Sequence, residues 1–346
     1  MAKRADVARA AGVAESTVSY ALTGARPIAE ETKARIFKAM ADLDYRPNAM
    51  AQALRSGNSK MIAMLFGDQE RGISDGDIEY VMAAANEARA FGYHLILWPV
   101  RRRAIEDVVA QADSGLLAGA ILMEVALDDD RVKLLKEHGI PFSLIGRTRD
   151  ETDTVFADRD FEAATKLAVK HLVDLGHKEL LFLSTSTANA EENIGATVRS
   201  EKASQAAAKE LGAKIAILHS DTTIQAGLDA SKEFLRKYSG KTAVVSVNAE
   251  GLIGFARGLQ RAGVRIAEDV SLVCISTTNA GALAFDPPLT TVTPPAIEIG
   301  AAAARELIHE LEGQSDDEPQ KLFVGDLEMR DSTAPVRDHK LKPTNR

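Results

Sequence analysis

Apolar runs of four to six residues alternate with amphipathic stretches along the chain from Met61 onward. The runs have the length and composition of buried strands: Met61–Phe66, His94–Pro99, Ala118–Met123, Phe142–Ile145, Glu179–Leu183, Lys214–Leu218, Ala243–Val247 and Ser271–Ile275. The stretches between them have helical spacing of apolar residues: Ile78–Phe91, Glu162–Leu175, Glu201–Leu211, Ile224–Tyr238 and Ala249–Ala262. This alternation predicts parallel sheets with helices on both faces, and eight strands fit two doubly wound subdomains better than one large sheet. Ligands of such subdomains bind at the carboxyl ends of the strands.

The first 45 residues have helical spacing only. Three helices are predicted there: Lys3–Ala11, Glu15–Leu22 and Glu30–Leu43. Ala8, Gly12 and Val18 have the spacing of a helix-turn-helix, in which a small residue lets two helices cross, glycine takes the turn, and an apolar residue packs between them. The outward face of the second helix, with Ser16 and Tyr20, would then enter the major groove of DNA. The same spacing also fits an ordinary helical hairpin.

The net charge of −8 argues against a nucleic-acid partner only while the chain is treated as a whole. Residues 1–60 carry ten Lys and Arg against six Asp and Glu, a charge of +4, so the remaining 286 residues carry −12. This asymmetry is typical of a protein that meets DNA at one end, although +4 over 60 residues also fits chance. The length of 346 residues predicts two or three globular domains.

Other classes of protein are excluded by composition. A single cysteine, Cys274, excludes a disulfide framework and a multi-cysteine zinc site, and its position at the end of a strand assigns it to the core. The apolar runs are far shorter than the roughly 18 residues of a membrane span, and the N-terminus has no apolar signal core. We therefore expect a cytoplasmic protein with no membrane partner.

Candidate catalytic and metal sites are weak. Gly72–Gly76 matches the G-x-S-x-G nucleophile elbow, but five residues separate it from the preceding strand, so the required tight strand-to-helix turn is absent. Neither a P-loop nor a G-x-G-x-x-G after a strand occurs in the sequence. His171 and His177 belong to a helix and its exit turn, where packing is the usual role, and Asp128–Asp130 fits a helix start better than a metal site. We expect neither enzyme activity nor a cofactor.

Longer strings of residues identify the class of protein. They are DVARAAGVAESTVSYAL at Asp6–Leu22 and YRPNAMAQALRSG at Tyr45–Gly57, with shorter matches at Leu172–His177, Pro288–Val292 and Arg330–Thr333. Together they resemble the lactose-repressor/galactose-repressor (LacI/GalR) family of bacterial transcription regulators over nearly the whole chain. The resemblance implies a helix-turn-helix headpiece (1–45), a hinge helix and linker (46–60), a periplasmic-binding-protein-like α/β core of two doubly wound subdomains (61–333) and a flexible tail (334–346).

The resemblance also implies which residues meet DNA. Glu15, Ser16 and Tyr20 would contact bases, although Glu15 fits equally well as a first-turn charge with no base contact. The expected set is Lys3, Arg4, Glu15, Ser16, Thr17, Ser19, Tyr20, Thr23, Arg26, Asn48, Ala51, Gln52, Leu54 and Arg55. Leu54, in the hinge helix Asn48–Arg55, is the apolar wedge that would enter the minor groove and kink the duplex. So short a helix is marginal without a partner, which would make it a switch.

Candidate effector-binding groups lie mainly at the predicted strand ends. They are Asp68, Arg147, Asp158, Asp160, Phe161, Arg199, Asn248 and Ser276. Carboxylate, guanidinium and amide groups hold a polar ligand such as a sugar, and Phe161 would stack beneath it. The chain departs from the family pattern at three places. Asn248-Ala249 stands where Asn-Asp is usual, and Cys274–Ser276 stands where Gly-aromatic-Asp is usual. The position of the family's effector-binding arginine is occupied by Ser200, with Arg199 one residue away. The effector therefore stays open between a sugar, a nucleoside, a phosphorylated metabolite and none.

The predicted function is that of a homodimeric transcription regulator whose affinity for a double-stranded DNA operator responds to a small-molecule effector. Repression is the usual outcome in the family, and two-fold symmetry predicts a palindromic operator. Such a protein is associated with the nucleoid when it is bound to DNA. The alternative is a cytoplasmic sugar-binding or sugar-processing protein whose N-terminal helices are only structural. The polar tail from Ala334 gives no support for a tetramer.

Overall fold

The computed structural model describes residues 2–23, 26–45, 59–67, 73–100, 105–314 and 318–337. The chain divides into two compact units, Met1–Ser59 and Lys60–Arg346. The described residues of the first unit form three helices: α1 (Arg4–Ala11), α2 (Glu15–Thr23) and α3 (Glu30–Asp42). Val7, Ala8, Val18 and Ile36 are buried between them. Gly12 ends α1 with a φ of +67°, a left-handed backbone that glycine adopts without a Cβ clash, and its N–H donates to the α1 carbonyls. The predicted helices and turn are confirmed.

The second unit is built from alternating strands and helices. Its strands are β1 (Met61–Phe66), β2 (His94–Pro99), β3 (Gly119–Leu122), β4 (Phe142–Ile145), β5 (Phe156–Arg159), β6 (Glu179–Ser184), β7 (Lys214–His219), β8 (Ala243–Ser246), β9 (Ser271–Cys274), β10 (Thr290–Val292), β11 (Gln320–Phe323) and β12 (Leu327–Glu328). Its helices are α4 (Asp75–Ala90), α5 (Glu106–Asp113), α6 (Asp130–Glu137), α7 (Phe161–Asp174), α8 (Thr187–Glu191), α9 (Gly195–Glu210), α10 (Ile224–Lys237), α11 (Ala249–Arg261), α12 (Asn279–Leu283) and α13 (Ala296–Leu311).

The strands form two sheets, which define two lobes. The first lobe has the order β11-β5-β4-β3-β1-β2 and the second the order β12-β10-β9-β8-β6-β7. All pairings are parallel except that of β10 with β12. Apolar clusters cover both faces of each sheet. The predicted pair of doubly wound subdomains is confirmed, and the chain passes between the lobes after β5, after β10 and after β11.

Four short strands, β5, β10, β11 and β12, were not predicted. In β5 the last two residues are Asp158 and Arg159, which interrupt any apolar run, yet both side chains are buried. β10, β11 and β12 have two to four residues each, too few for a pattern to be recognised. Helix α9 begins at Gly195, six residues before the predicted start at Glu201, so Arg199 lies inside the helix and not before it.

The segment after Thr333 is bound to the second lobe as far as the structure describes it. The Ala334 N–H donates to Ser271 Oγ at 3.1 Å, and the Val336 N–H donates to the Leu175 carbonyl at 2.9 Å. The expected flexible tail therefore does not begin at Ala334, and residues 338–346 lie outside the described part of the chain. No helix in the described ranges is long and apolar enough to cross a membrane.

Candidate functional sites

The outward face of α2 carries the residues expected to read DNA. Glu15 and Ser16 are exposed, while Ser19 and Tyr20 are half-buried. Val18 is fully buried beneath them, which fixes α2 against the rest of the unit. This burial leaves the polar face of α2 available to a groove of DNA.

Two arginines lie against this face. Arg4 Nη2 is 3.2 Å from Glu15 Oε2, and the Arg26 guanidinium lies 5.3 Å from the centre of the Tyr20 ring. Exposed ion pairs contribute only about 0–1 kcal/mol, so DNA phosphates and bases can compete for these groups. Glu15 thus has a partner within its own unit, which favours the interpretation of Glu15 as a first-turn charge in the free protein.

The other expected DNA-binding residues are only partly described. Lys3 is exposed at the start of α1, where its N–H donates to Asp6 Oδ2 at 2.9 Å. Thr17 is half-buried in α2, and Thr23 ends that helix. The hinge residues lie outside the described part of the chain: Asn48, Ala51, Gln52, Leu54 and Arg55.

A cavity of about 550 Å³ lies between the two lobes, at the carboxyl ends of their strands. Five of the predicted effector-binding residues line it: Arg147, Asp158, Phe161, Arg199 and Ser276. Hydroxyl groups of Thr185, Thr197, Thr277 and Thr278 add polar surface, and the Phe285 ring adds an aromatic one. The wall therefore combines a few polar groups with apolar surface, as ligand-binding sites do.

Ion pairs join two of the cavity arginines to acidic groups: Arg199 lies 3.7 Å from Glu162, and Arg147 has three acidic neighbours. Arg147 lies 3.0 Å from Glu151, 2.9 Å from Glu162 and 3.3 Å from Asp158. The contact with Asp158 has the distance of an ion pair but not the alignment of a hydrogen bond. Burial raises the pKa of Asp158 to about 6, and the neighbouring Arg199 and Arg147 oppose that rise.

Arg199 connects the lobes. It starts from α9 in the second lobe, and its Nη1 and Nη2 donate to the carbonyls of Arg147 and Thr148 in the first lobe, at 3.0 and 3.1 Å. Nearby, the Gly195 N–H donates to the Val125 carbonyl at 2.9 Å, and the Leu127 N–H donates to the Asn193 carbonyl at 2.8 Å. These bonds hold the lobes together along one side of the cavity.

Comparison with known proteins places the chain in a family. Residues 5–48 match the family described as bacterial regulatory proteins, lacI family, and residues 169–333 match a periplasmic binding protein-like domain. The HTH-type transcriptional regulator AglR of Rhizobium meliloti is 30% identical over 350 residues, which cover 96% of this chain and 94% of that protein. The chain belongs to the LacI family.

Further relatives agree with this assignment. The HTH-type transcriptional regulator MalR of Streptomyces coelicolor is 28% identical over 350 residues, which cover 98% of each protein. Among solved structures, the lac repressor dimer bound to operator and the anti-inducer ONPF has a TM-score of 0.83 at 23% identity, covering 96% of this chain and 99% of that one. The protein is a helix-turn-helix transcription regulator, and these relatives are regulators rather than enzymes.

Two predicted effector residues of this LacI-family protein do not line the cavity. Asp160 Oδ1 accepts from the Ala163 N–H at 2.8 Å and so caps the start of α7. Asn248 is 1% exposed; its Oδ1 accepts from the Gly251 N–H at 2.9 Å, and its Nδ2 donates to the Ser220 carbonyl at 2.8 Å. Both side chains satisfy backbone groups at a helix start, which corrects the prediction for them. Asp68 lies outside the described residues.

The departures from the family pattern are also explained by local structure. Ser200 is fully buried, and its Oγ donates to the Ala196 carbonyl at 2.7 Å, so it cannot replace an effector-binding arginine.

Ser74, in the G-x-S-x-G string, is the N-cap of α4: its Oγ accepts from the Asp77 N–H at 3.2 Å and donates to Asp77 Oδ2 at 2.7 Å. Asp129 likewise caps α6, as the helix-start interpretation of that acidic run predicts. No cluster of three metal-ligating side chains occurs in the described ranges.

Several residues that line the cavity were not predicted from the sequence. Arg159 and Tyr80 line the wall, and burial lowers the pKa of Arg159 to about 10 and raises that of Tyr80 to about 12. Glu79 and Glu250 line it as well. Asp158 was predicted but its neighbour Arg159 was not, because β5 was not recognised as a strand that ends at Arg159.

Proposed function

We propose that this LacI-family regulator binds a palindromic operator as a homodimer and that a small molecule in the interlobe cavity controls its affinity for DNA. The polar outer face of α2 carries the proposal, because Val18 anchors the helix while Ser16 and Tyr20 are left for base edges. Glu15 joins them when DNA displaces its exposed pair with Arg4. Lys3, Arg4, Thr17, Ser19, Thr23 and Arg26 supply phosphate contacts or support.

A homodimer is supported by apolar side chains that the described residues leave exposed. Ile78 and Met82, one turn apart on α4, are 46% and 54% exposed, and Leu97 on the neighbouring edge strand β2 is 46% exposed. The solved lac repressor is described as a dimer bound to operator. A second copy packed on this face would present two α2 helices to two half-sites, so the operator would be a palindrome.

The effector proposal rests on the composition of the cavity. Asp158 of the first lobe and Phe161 and Ser276, which follow it in the chain, offer the cavity a carboxylate, an aromatic ring and a hydroxyl, which suits a sugar or a related metabolite. Arg147 and Arg199 shape the wall, although their donors are already engaged by carboxylates and carbonyls. An effector changes DNA affinity only as far as it binds the two arrangements of the lobes unequally.

The experiment is selection of bound fragments from a random DNA library, followed by titration of the enriched sequence. We expect enriched sites to be palindromic and the affinity to fall steeply with salt, because phosphates are neutralised on binding. In the same titration, Ser16→Ala should relax the preference for one base pair per half-site while leaving the affinity for nonspecific DNA unchanged. Enrichment of sites without two-fold symmetry would contradict dimeric operator binding, and no enrichment would contradict sequence-specific binding.

A further inference from the structure

Arg159 is a buried cation that forms no ion pair within the described part of the chain. It is the last residue of β5 and is 2% exposed. Nη2 donates to the Val292 carbonyl at 2.5 Å, whereas Nε and Nη1 have no hydrogen-bond partner. No ion pair involves Arg159 within the described ranges. Buried charges in proteins are normally paired, so this arrangement needs an explanation.

The other fully buried arginine, Arg131, shows the usual arrangement. Its Nε and Nη2 donate to the two carboxylate oxygens of Asp129, at 3.0 and 2.8 Å, and Nη2 also donates to the Met123 carbonyl at 3.0 Å. Arg159 has only one carbonyl. Burial lowers the pKa of Arg159 to about 10, which still leaves the guanidinium charged at neutral pH.

The position of Arg159 relates this charge to the ligand cavity. The side chain lines the wall, and its guanidinium carbon lies 5.6 Å from the centre of the Phe161 ring. Arg147 and Arg199, which line the same cavity, are held by carboxylates and carbonyls. Of the three arginines of the cavity, Arg159 is therefore the one whose charge is open to compensation by a ligand.

We infer that the cavity takes a hydroxylated ligand with a single carboxylate, such as a sugar acid, and that the carboxylate binds Nε and Nη1 of Arg159. The inference rests on the proposed effector role of the cavity. The charge of Arg159, which forms no ion pair, matches one carboxylate. Six acidic residues also line the cavity, against three arginines, and they disfavour a doubly charged phosphate ester. The hydroxyls of Ser276, Thr277 and Thr278 are suited to the rest of such a ligand.

Binding requires a small movement of the side chain. Nε and Nη1 are buried, so the guanidinium must turn toward the cavity to meet a ligand. Neither nitrogen has a hydrogen bond that would have to break. The hydrogen bond from Nη2 to the Val292 carbonyl joins the first lobe to β10 of the second, and its geometry would change with that rotation of the guanidinium.

The test is a thermal-shift titration of the full chain at matched ionic strength. D-gluconate, D-glucuronate and D-galacturonate are compared with neutral D-glucose and D-galactose. We expect at least one acid, and neither neutral sugar, to raise the Tm. Arg159→Met should weaken binding of that acid about 10-fold or more, since a hydrogen bond to a charged group is lost, and Arg159→Lys should restore part of it. Arg149→Met, at an exposed arginine that pairs with Asp128, removes the same charge away from the cavity and should bind like the wild type.

Several outcomes would overturn the inference. They are an equal shift from an acid and its neutral parent, no shift from any of the acids, and equal acid affinity in the wild type and Arg159→Met. Operator titrations in the same samples separate this inference from the effector role. A neutral sugar that binds and changes operator affinity would keep the effector role and overturn the carboxylate. An acid that binds through Arg159 without changing operator affinity would keep the carboxylate site and overturn the effector role.

Discussion

At the scale of single residues, His177 shows how a buried ring joins three segments of the second lobe. Its Nε2 lies 3.0 Å from the Ala334 carbonyl and its Nδ1 lies 2.8 Å from Thr242 Oγ1. A carbonyl only accepts, so Nε2 carries the proton and Nδ1 accepts from the threonine hydroxyl. The neutral ring is thus fully satisfied, and burial lowers its pKa.

This arrangement predicts a loss of stability in acid. The folded pKa of His177 lies below the unfolded value of about 6.5, so its contribution is present above that pH and is lost as the pH falls through the folded pKa. His177→Gln keeps an N–H for the Ala334 carbonyl but does not titrate. Its Tm should therefore decrease less steeply than that of the wild type between pH 7 and 5.

His171 sets the control for this measurement. It is half-buried, its pKa is also lowered by burial, and Asp174 opposes that shift. A double variant with His171→Gln should flatten the curve further. Parallel curves of Tm against pH for the wild type and His177→Gln would show that His177 does not control the acid response.

At the scale of elements, glycines allow α10 and α11 to pack unusually closely. A Cβ atom at Gly254 would lie 1.9 Å from the Ile224 carbonyl oxygen, and one at Gly227 would lie 1.9 Å from the Gly251 carbonyl oxygen. Both contacts involve backbone, which cannot move without separating the helices. Glycine is therefore required at positions 227 and 254 by helix packing and not by backbone conformation.

Gly254→Ala should destabilise the protein by about 1–3 kcal/mol through overpacking, although alanine favours a helix over glycine by about 1 kcal/mol. Gly240→Ala is the matched control, because a Cβ there has no atom within 4 Å and should change stability by no more than about 0.5 kcal/mol. Urea denaturation measures both. Equal stabilities of the two variants would contradict the close packing.

The elements also show where sequence patterns stop being informative. Strands such as β1 and β8 were predicted because they are buried on both faces and read as continuous apolar runs. β5 was missed because its burial depends on charged side chains that face a cavity, which only the tertiary structure creates. For the same reason Asn248 was assigned to the ligand: an amide at a strand end reads alike whether it caps a helix or meets an effector.

At the scale of the whole molecule, the distribution of charge matches the proposed division of labour. Residues 1–60 carry +4, and the rest of the chain carries −12. Phosphates attract the first part and repel the second, so the charge contributes to affinity without selecting a sequence. We propose that selection comes from base contacts of α2 and from deformation of the DNA by Leu54, whereas its neighbour Arg55 contacts a phosphate.

Leu54→Ala should weaken binding to the palindromic operator more than binding to random DNA, because an apolar wedge stabilises only a duplex kinked at the right step. Arg55→Ala should weaken both and reduce the slope of log K against log salt by about one phosphate contact, or roughly 0.9. Fluorescence titrations of both variants at several salt concentrations measure the two quantities together. Equal losses on operator and random DNA for Leu54→Ala would remove the wedge, and an unchanged salt slope for Arg55→Ala would remove its phosphate contact. Since the two substitutions are adjacent in the chain, a general disruption of the hinge would change both the operator preference and the salt slope in both variants. Separate roles predict that Leu54→Ala changes only the operator preference and that Arg55→Ala changes only the salt slope.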